Sequence, residues 1–133
     1  MIVVDSSALM ASILRENDFE ELSEVLNASE AKIIGAPTRL ELLMVASGRR
    51  REALRSLALE LLQDARIETV PFNSAHADIA ADAFLRYGKG TGHPAQLNYG
   101  DCMAYAVAKA LDAPLLYKGD DFAQTDIRSA LDV

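Results

Sequence analysis

Tryptophan is missing from this sequence of 133 residues, cysteine occurs once and proline four times. The lone thiol, Cys102, excludes an internal disulfide and fits a reducing compartment, so a cytoplasmic location is expected. No stretch approaches the roughly 18 apolar residues that a bilayer span requires, so no membrane role is expected. The N-terminus lacks a basic segment followed by an apolar core, and therefore reads as a strand rather than a signal peptide. Basic residues are also scarce: 13 Lys and Arg stand against 20 Asp and Glu, for a formal net charge of −7. This argues against indiscriminate binding to polyanions. It does not exclude nucleic acid as a substrate, because acids gathered around a cation inflate the sum while the cation reverses their local field.

What is present is a core. Hydrophobic residues make up 50% of the chain, enough for one packed domain, expected to span residues 1–133. Ile2–Val4 is an apolar run without alternation, as in a central strand covered on both faces. Ser6 or Ser7 is placed to cap a helix carrying Leu9, Ile13 and Leu14. Asp18 and Glu21 suggest a capping box for a second helix with Phe19, Leu22, Val25 and Leu26 on one face. Residues 32–36 read as a strand stopped by Pro37, after which Thr38 opens a helix through Leu40, Leu43 and Met44, weakened at Gly48. A long amphipathic helix follows Arg49, Arg50 and Arg51, with Leu54, Leu57, Ala58, Leu61 and Leu62 turned to the core. Residues 67–72 include Pro71 and read as a short or edge strand. Ser74 caps a helix bearing Ile79, Ala80, Ala83 and Phe84. Residues 87–98 form a flexible loop, residues 100–111 an alanine-rich helix, 115–117 the last strand, and the tail from Phe122 a short turn or helix. Strands alternating with helices predict an α/β fold, a three-layer α/β/α sandwich around a mostly parallel sheet.

Carboxylates fall where such a sheet places its ligands, just beyond the carboxyl ends of strands. Asp5 follows the first strand, Asp120 and Asp121 follow the last, Asp101 begins the alanine-rich helix, and Glu41 lies one turn beyond the second strand. Each has an ordinary structural reading: a helix cap for Asp5, a box with Thr38 for Glu41, a dipole-favoured position for Asp101, a solvated turn for Asp120 and Asp121. Independent capping would not concentrate them on one edge. Two carboxylates about 4 Å apart repel by roughly 4 kcal/mol at an effective dielectric of about 20. Several such pairs would threaten a domain stable by only about 5–15 kcal/mol. A hard dication, Mg²⁺ or Mn²⁺, would relieve that repulsion and could hold a water for attack on a phosphodiester.

Four segments resemble, in order and spacing, the acidic motifs of PIN-domain ribonucleases, specifically the VapC-type toxins of toxin–antitoxin pairs. They are residues 1–9 around Asp5, 38–42 around Glu41, 98–106 around Asp101, and 114–126 around Asp120 and Asp121. The resemblance covers essentially the whole chain. It implies a Mg²⁺- or Mn²⁺-dependent endoribonuclease leaving a 5′-phosphate, with Asp5, Glu41, Asp101 and Asp120 as catalytic and metal-holding acids. Asp121 is the alternative to Asp120, since Gly119 stands where many relatives carry the fourth acid. Ser7 matches a small hydroxyl that supports the first acid. The implied partners are RNA as substrate, a cognate VapB-type antitoxin, and a second copy of the chain, assembling as a heterotetramer or larger.

Other residues carry weaker signals. Arg39, Arg49, Arg50, Arg51, Arg86 and Lys89 could grip phosphates or could form an ordinary solvated surface. The segment 88–94 is glycine-rich but lacks P-loop spacing. His76 and His93 stand away from strand ends, and Cys102 beside Asp101 is expected to be a buried small residue rather than a nucleophile. Two rival readings remain: a non-catalytic binding module with the same fold, and a phosphoacceptor receiver domain, which Lys118 fits superficially. A receiver needs an aspartate at a middle strand end, and residues 70–73 offer none.

Overall fold

Ile2, Val3 and Val4 lack polar alternation because each face of their strand meets a different hydrophobic cluster. Strand β1 (Ile2–Val4) sends Ile2 and Val4 into one and Val3 into the other. The computed structural model describes residues 1–48 and 52–132. Arg49, Arg50 and Arg51, and with them that part of the suggested phosphate grip, lie outside the described residues. The remaining strands are β2 (Lys32–Gly35), β3 (Ile67–Val70) and β4 (Leu115–Leu116), and the sheet runs β3-β2-β1-β4 with every pairing parallel.

Helices α1 (Ser6–Ile13), α2 (Phe19–Asn27), α3 (Ala36–Ser47) and α4 (Glu52–Asp64) pack with Ile2, Val4, Ile34 and Leu116 on one side. Helices α5 (Ser74–Tyr87) and α6 (Tyr99–Ala110) pack with Val3, Ile33 and Leu115 on the other. This is the expected three-layer α/β/α sandwich. The chain order leaves β1 flanked by β2 on one side and β4 on the other. The connections therefore change direction at β1, and its carboxyl end opens at the switch point where α/β sheets bind ligands.

Several local expectations need correction. Asp5, not Ser6 or Ser7, caps α1, its carboxylate accepting from the Ser7 amide. Asp18 occupies the cap position of α2 but has turn-like backbone (φ −98°, ψ 11°) instead of the extended geometry a cap needs, so no box with Glu21 forms. Helix α3 begins at Ala36 because Pro37 is tolerated in a first turn, which draws Thr38 inside the helix and leaves Glu41 without a box partner there. The α5 cap is Asn73 rather than Ser74, completed by His76. Strand β3 stops at Val70, ahead of Pro71, and lies at the edge of the sheet as expected, with Ile67 buried and Glu68 and Thr69 exposed. The apolar stripe of α3 is also rotated: Leu42 and Ala46 are buried, whereas Leu40 and Met44 face outward. On α4, Ala58 and Leu62 enter the core while Leu57 is exposed.

Segment 88–97 is knitted together. Lys89 donates its amide to Leu97, the Leu97 amide bonds Tyr87, and the Thr91 hydroxyl bonds the Gly88 carbonyl at 2.7 Å. Gly90 and Gly92 take positive φ in its turns, as does Gln96.

Candidate active site

The first acid is built by the end of β1. The Asp5 amide donates to the Leu116 carbonyl at 2.9 Å, which fixes its backbone beside β4. Its Oδ2 accepts from both the amide and the hydroxyl of Ser7. The same Ser7 hydroxyl accepts from the Lys118 amide at 3.0 Å, tying the first motif to the last. Oδ1 is different: it is buried and has no hydrogen-bond partner among the described residues. Burial raises the Asp5 carboxyl to about 6; the Ser7 bonds pull it back, and Asp101 and Glu41 push it further up.

Asp101 is placed by the first turn of α6, where it forms a reciprocal box with Asn98. The Asn98 amide donates to Asp101 Oδ2 at 3.0 Å, and the Asp101 amide to Asn98 Oδ1 at 2.8 Å. Burial raises its carboxyl, the Asn98 bond opposes this, and Asp121 and Glu41 add to the rise. Glu41 projects from α3, and its Oε1 accepts from the Ser6 hydroxyl at 2.7 Å. Asp5, Glu41 and Asp101 are thus mutual electrostatic neighbours despite wide separation in sequence, and Asp121 joins them through Asp101. Asp120 instead bears on Tyr117.

These acids share an edge without closing on a point. Among the described residues, no three His, Cys, Asp or Glu side chains are arranged to hold a metal ion as they stand. Asp5, Glu41 and Asp101 each commit an oxygen to a local donor. The donor chemistry nevertheless fits a hard dication. All four groups are carboxylates, and Asp5 offers a buried oxygen with an unmet need for a positive partner.

The other candidates are spent on structure. His76 Nδ1 accepts from the Asn73 amide and His93 Nδ1 from the Ala95 amide, both at 3.0 Å. Cys102 is buried, and burial together with Asp101 pushes its thiol up to about 11, so it is a poor nucleophile. Arg39 reaches Thr69, and Arg86 lies over the Tyr87 ring and donates to its hydroxyl. Lys118 pairs with Glu16 at 2.8 Å instead of facing a phosphoacceptor. Sequence reasoning missed an apolar surface beside the acids: a groove of about 780 Å³ lined by Leu40, Met44, Val45, Phe72, Tyr99 and Met103. Tyr99 is 81% exposed at its rim.

Comparison with known proteins gives a consistent answer. The PIN domain family profile matches residues 2–128. Ribonuclease VapC42 of Mycobacterium tuberculosis is 40% identical over 129 residues, covering 97% of this chain and 98% of its own. Among solved structures, M. tuberculosis VapC20, described as a sarcin–ricin loop cleaving toxin, superposes with a TM-score of 0.76 at 11% identity, covering 96% of both chains. VapBC2 from Rickettsia felis, bound to a fragment of its promoter DNA, gives 0.74 at 17% identity, covering 97% of this chain and 96% of that one. These two distant structures speak for the fold; the profile and the near relative speak for lineage. The chain belongs to the PIN-domain family, among the VapC ribonucleases.

Proposed function

We propose that this protein is a dication-dependent endoribonuclease, the toxic member of a toxin–antitoxin pair, acting in the cytoplasm through Asp5, Glu41, Asp101 and a fourth acid from the turn after β4. The observation that carries the reading is the buried, unpartnered Oδ1 of Asp5 at the switch point, with Glu41 and Asp101 beside it. Asp120 is the first choice from sequence for the fourth place. Asp121 takes it in this reading, because Asp121 is the acid that Asp101 senses.

The residues divide the work by how each is held. Asp5 is the fixed point, with one oxygen locked by Ser7 and the other free to ligate. Asp101 keeps one oxygen on the Asn98 amide, which orients the other. Glu41, whose Oε1 accepts from the Ser6 hydroxyl, is placed to complete the cation shell or to accept a proton from the attacking water. Bound Mg²⁺ or Mn²⁺ would supply an acidified water and offset charge on the phosphorus oxygens. In-line attack of such a water would break the P–O3′ bond, leaving a 5′-phosphate and a 3′ oxygen that takes a proton to become a hydroxyl.

The partners in this reading are RNA, a VapB-type antitoxin and a second copy of the chain, forming a heterotetramer or larger assembly. Leu40, Met44, Phe84, Leu85 and Tyr99, all exposed, offer apolar area for such contacts. Among the described residues no helix is long and apolar enough to cross a membrane.

The test is incubation of the purified protein with an RNA pool in Mg²⁺, Mn²⁺ or EDTA, followed by sequencing of new 5′ ends. Cutting is expected only with the ion. Asp5→Asn and Asp101→Asn should each abolish it while keeping the circular dichroism spectrum. Absence of ion-dependent cutting from every pool would leave the non-catalytic binding module as the better reading.

A further inference from the structure

Helix α6 carries a glycine in its first turn that the backbone does not require. Gly100 has no positive φ, and alanine would favour the helix more. The reason for glycine lies in what faces it. A Cβ added at Gly100 would overlap Glu41 Oε2 outright and lie 3.0 Å from Cδ and 3.3 Å from Oε1. The three nearest atoms all belong to that one carboxylate, and none to backbone. On its other side, Glu41 Oε1 receives the Ser6 hydroxyl at 2.7 Å. A side chain from α3 is therefore gripped between the first turns of α1 and α6.

We propose that Gly100 is a positioning residue for Glu41: its bare Cα and the Ser6 hydroxyl form a slot that sets the Glu41 carboxylate beside Asp5 and Asp101. This rests on the reading of those acids as the cation site and adds a residue with no ligating atom of its own. Filling the slot collides only with the tip of a flexible side chain. The fold can yield by swinging Glu41 away, at little cost in stability. The carboxylate would then lose the Ser6 bond and its place near the other acids. Gly100→Ala should thus separate two properties that a damaged helix would lose together.

Thermal melting in EDTA, Mn²⁺ titration followed by the electron paramagnetic resonance signal of the free ion, and RNA cleavage across a Mn²⁺ series would be measured. The proteins are wild type, Gly100→Ala, Glu41→Gln, Glu41→Asp and the double variant Gly100→Ala/Glu41→Asp. Gly100→Ala is expected to melt at or above the wild-type temperature while binding Mn²⁺ about 10-fold or more weakly, the usual scale for disturbing a ligand's support. In the Glu41→Asp background, where the carboxylate is withdrawn by one methylene, the same glycine change should cost clearly less. If Gly100→Ala binds Mn²⁺ and cuts like wild type while Glu41→Gln does not, the slot is refuted and the site stands. If Glu41→Gln itself binds and cuts normally, the assignment of Glu41 falls and the slot with it. A lowered melting temperature with equal losses in both backgrounds would make Gly100 a helix-packing residue and overturn the proposal.

Discussion

At the scale of single residues, Asp5 couples stability to pH. Its carboxyl is raised by burial to about 6 in the folded protein, against about 3.9 in an unfolded chain. The folded state therefore binds this proton more tightly than the unfolded state does. The stabilisation is complete below about pH 4 and disappears as pH rises through about 6, a difference of roughly 3 kcal/mol. Asp101 shifts in the same sense, by burial and then by its acidic neighbours. Asp126 runs the other way: burial raises it, but the Tyr105 hydroxyl and Lys109 outweigh that and hold it low. In EDTA the protein should melt higher at pH 5.5 than at pH 7.5, and Asp5→Asn, which mimics the neutral acid, should melt higher than wild type at pH 7.5. Mg²⁺ competes with the proton, so it should raise the melting temperature more at pH 7.5 than at pH 5.5. Differential scanning calorimetry at the two pH values checks all three; a lower melting temperature for Asp5→Asn at pH 7.5 in EDTA would contradict burial of the charged carboxylate as the origin of the shift.

At the scale of elements, the caps connect folding to chemistry. Asn98 and Asp101 satisfy each other's amides at the start of α6, so one pair of side chains both begins a helix and aims a candidate ligand. Asn98→Ala should cost about 1 kcal/mol in urea denaturation, the usual value of a lost cap. It should also slow cleavage, because the Asp101 carboxylate loses the geometry that orients it. Equal cleavage by both proteins would show that the box serves only the helix. The same boxes explain where sequence legibility ends. Strand periodicity is plain in Ile2–Val4, since covering both faces demands an unbroken apolar run. The usual box signature is Ser or Thr followed by Glu, and neither Asn73 with His76 nor Asn98 with Asp101 matches it. Pro37 reads locally as a stop, yet it lies in the first turn of α3, because the amide it lacks has no intrahelical partner there. Exposure on α3 is not legible either: Leu40 and Met44 fit a helical stripe, and the packing of α3 against α1 and α4, which buries Leu42 and Ala46 instead, decides which stripe is covered.

At the scale of the whole molecule, the proposed function has a chain of net charge −7 meet a polyanion at an acidic edge. Parallel topology is what gathers those acids. With strands ordered β3-β2-β1-β4, carboxylates from residues 5, 41, 101 and 121 reach one rim, and this is open to sequence reasoning because each follows or adjoins an apolar strand or helix start. Which oxygens are already taken is not, since that depends on Ser6, Ser7 and Asn98 finding them in space. The consequence for RNA is electrostatic. Without a dication the rim repels phosphate, so the acids oppose binding and assist only once a cation reverses their field. A phosphate about 6 Å from one removed charge, at an effective dielectric of about 40, regains roughly 1.4 kcal/mol, which is about tenfold in affinity. The double variant Asp5→Asn/Asp101→Asn should therefore bind single-stranded RNA in EDTA at least about tenfold more tightly than wild type. It should cut nothing in Mg²⁺, and its advantage should shrink as salt screens the rim. Fluorescence anisotropy of a labelled RNA at two ionic strengths measures this directly. If the double variant binds no better than wild type in EDTA, the RNA path does not cross these acids, and the catalytic rim must be sought on another face.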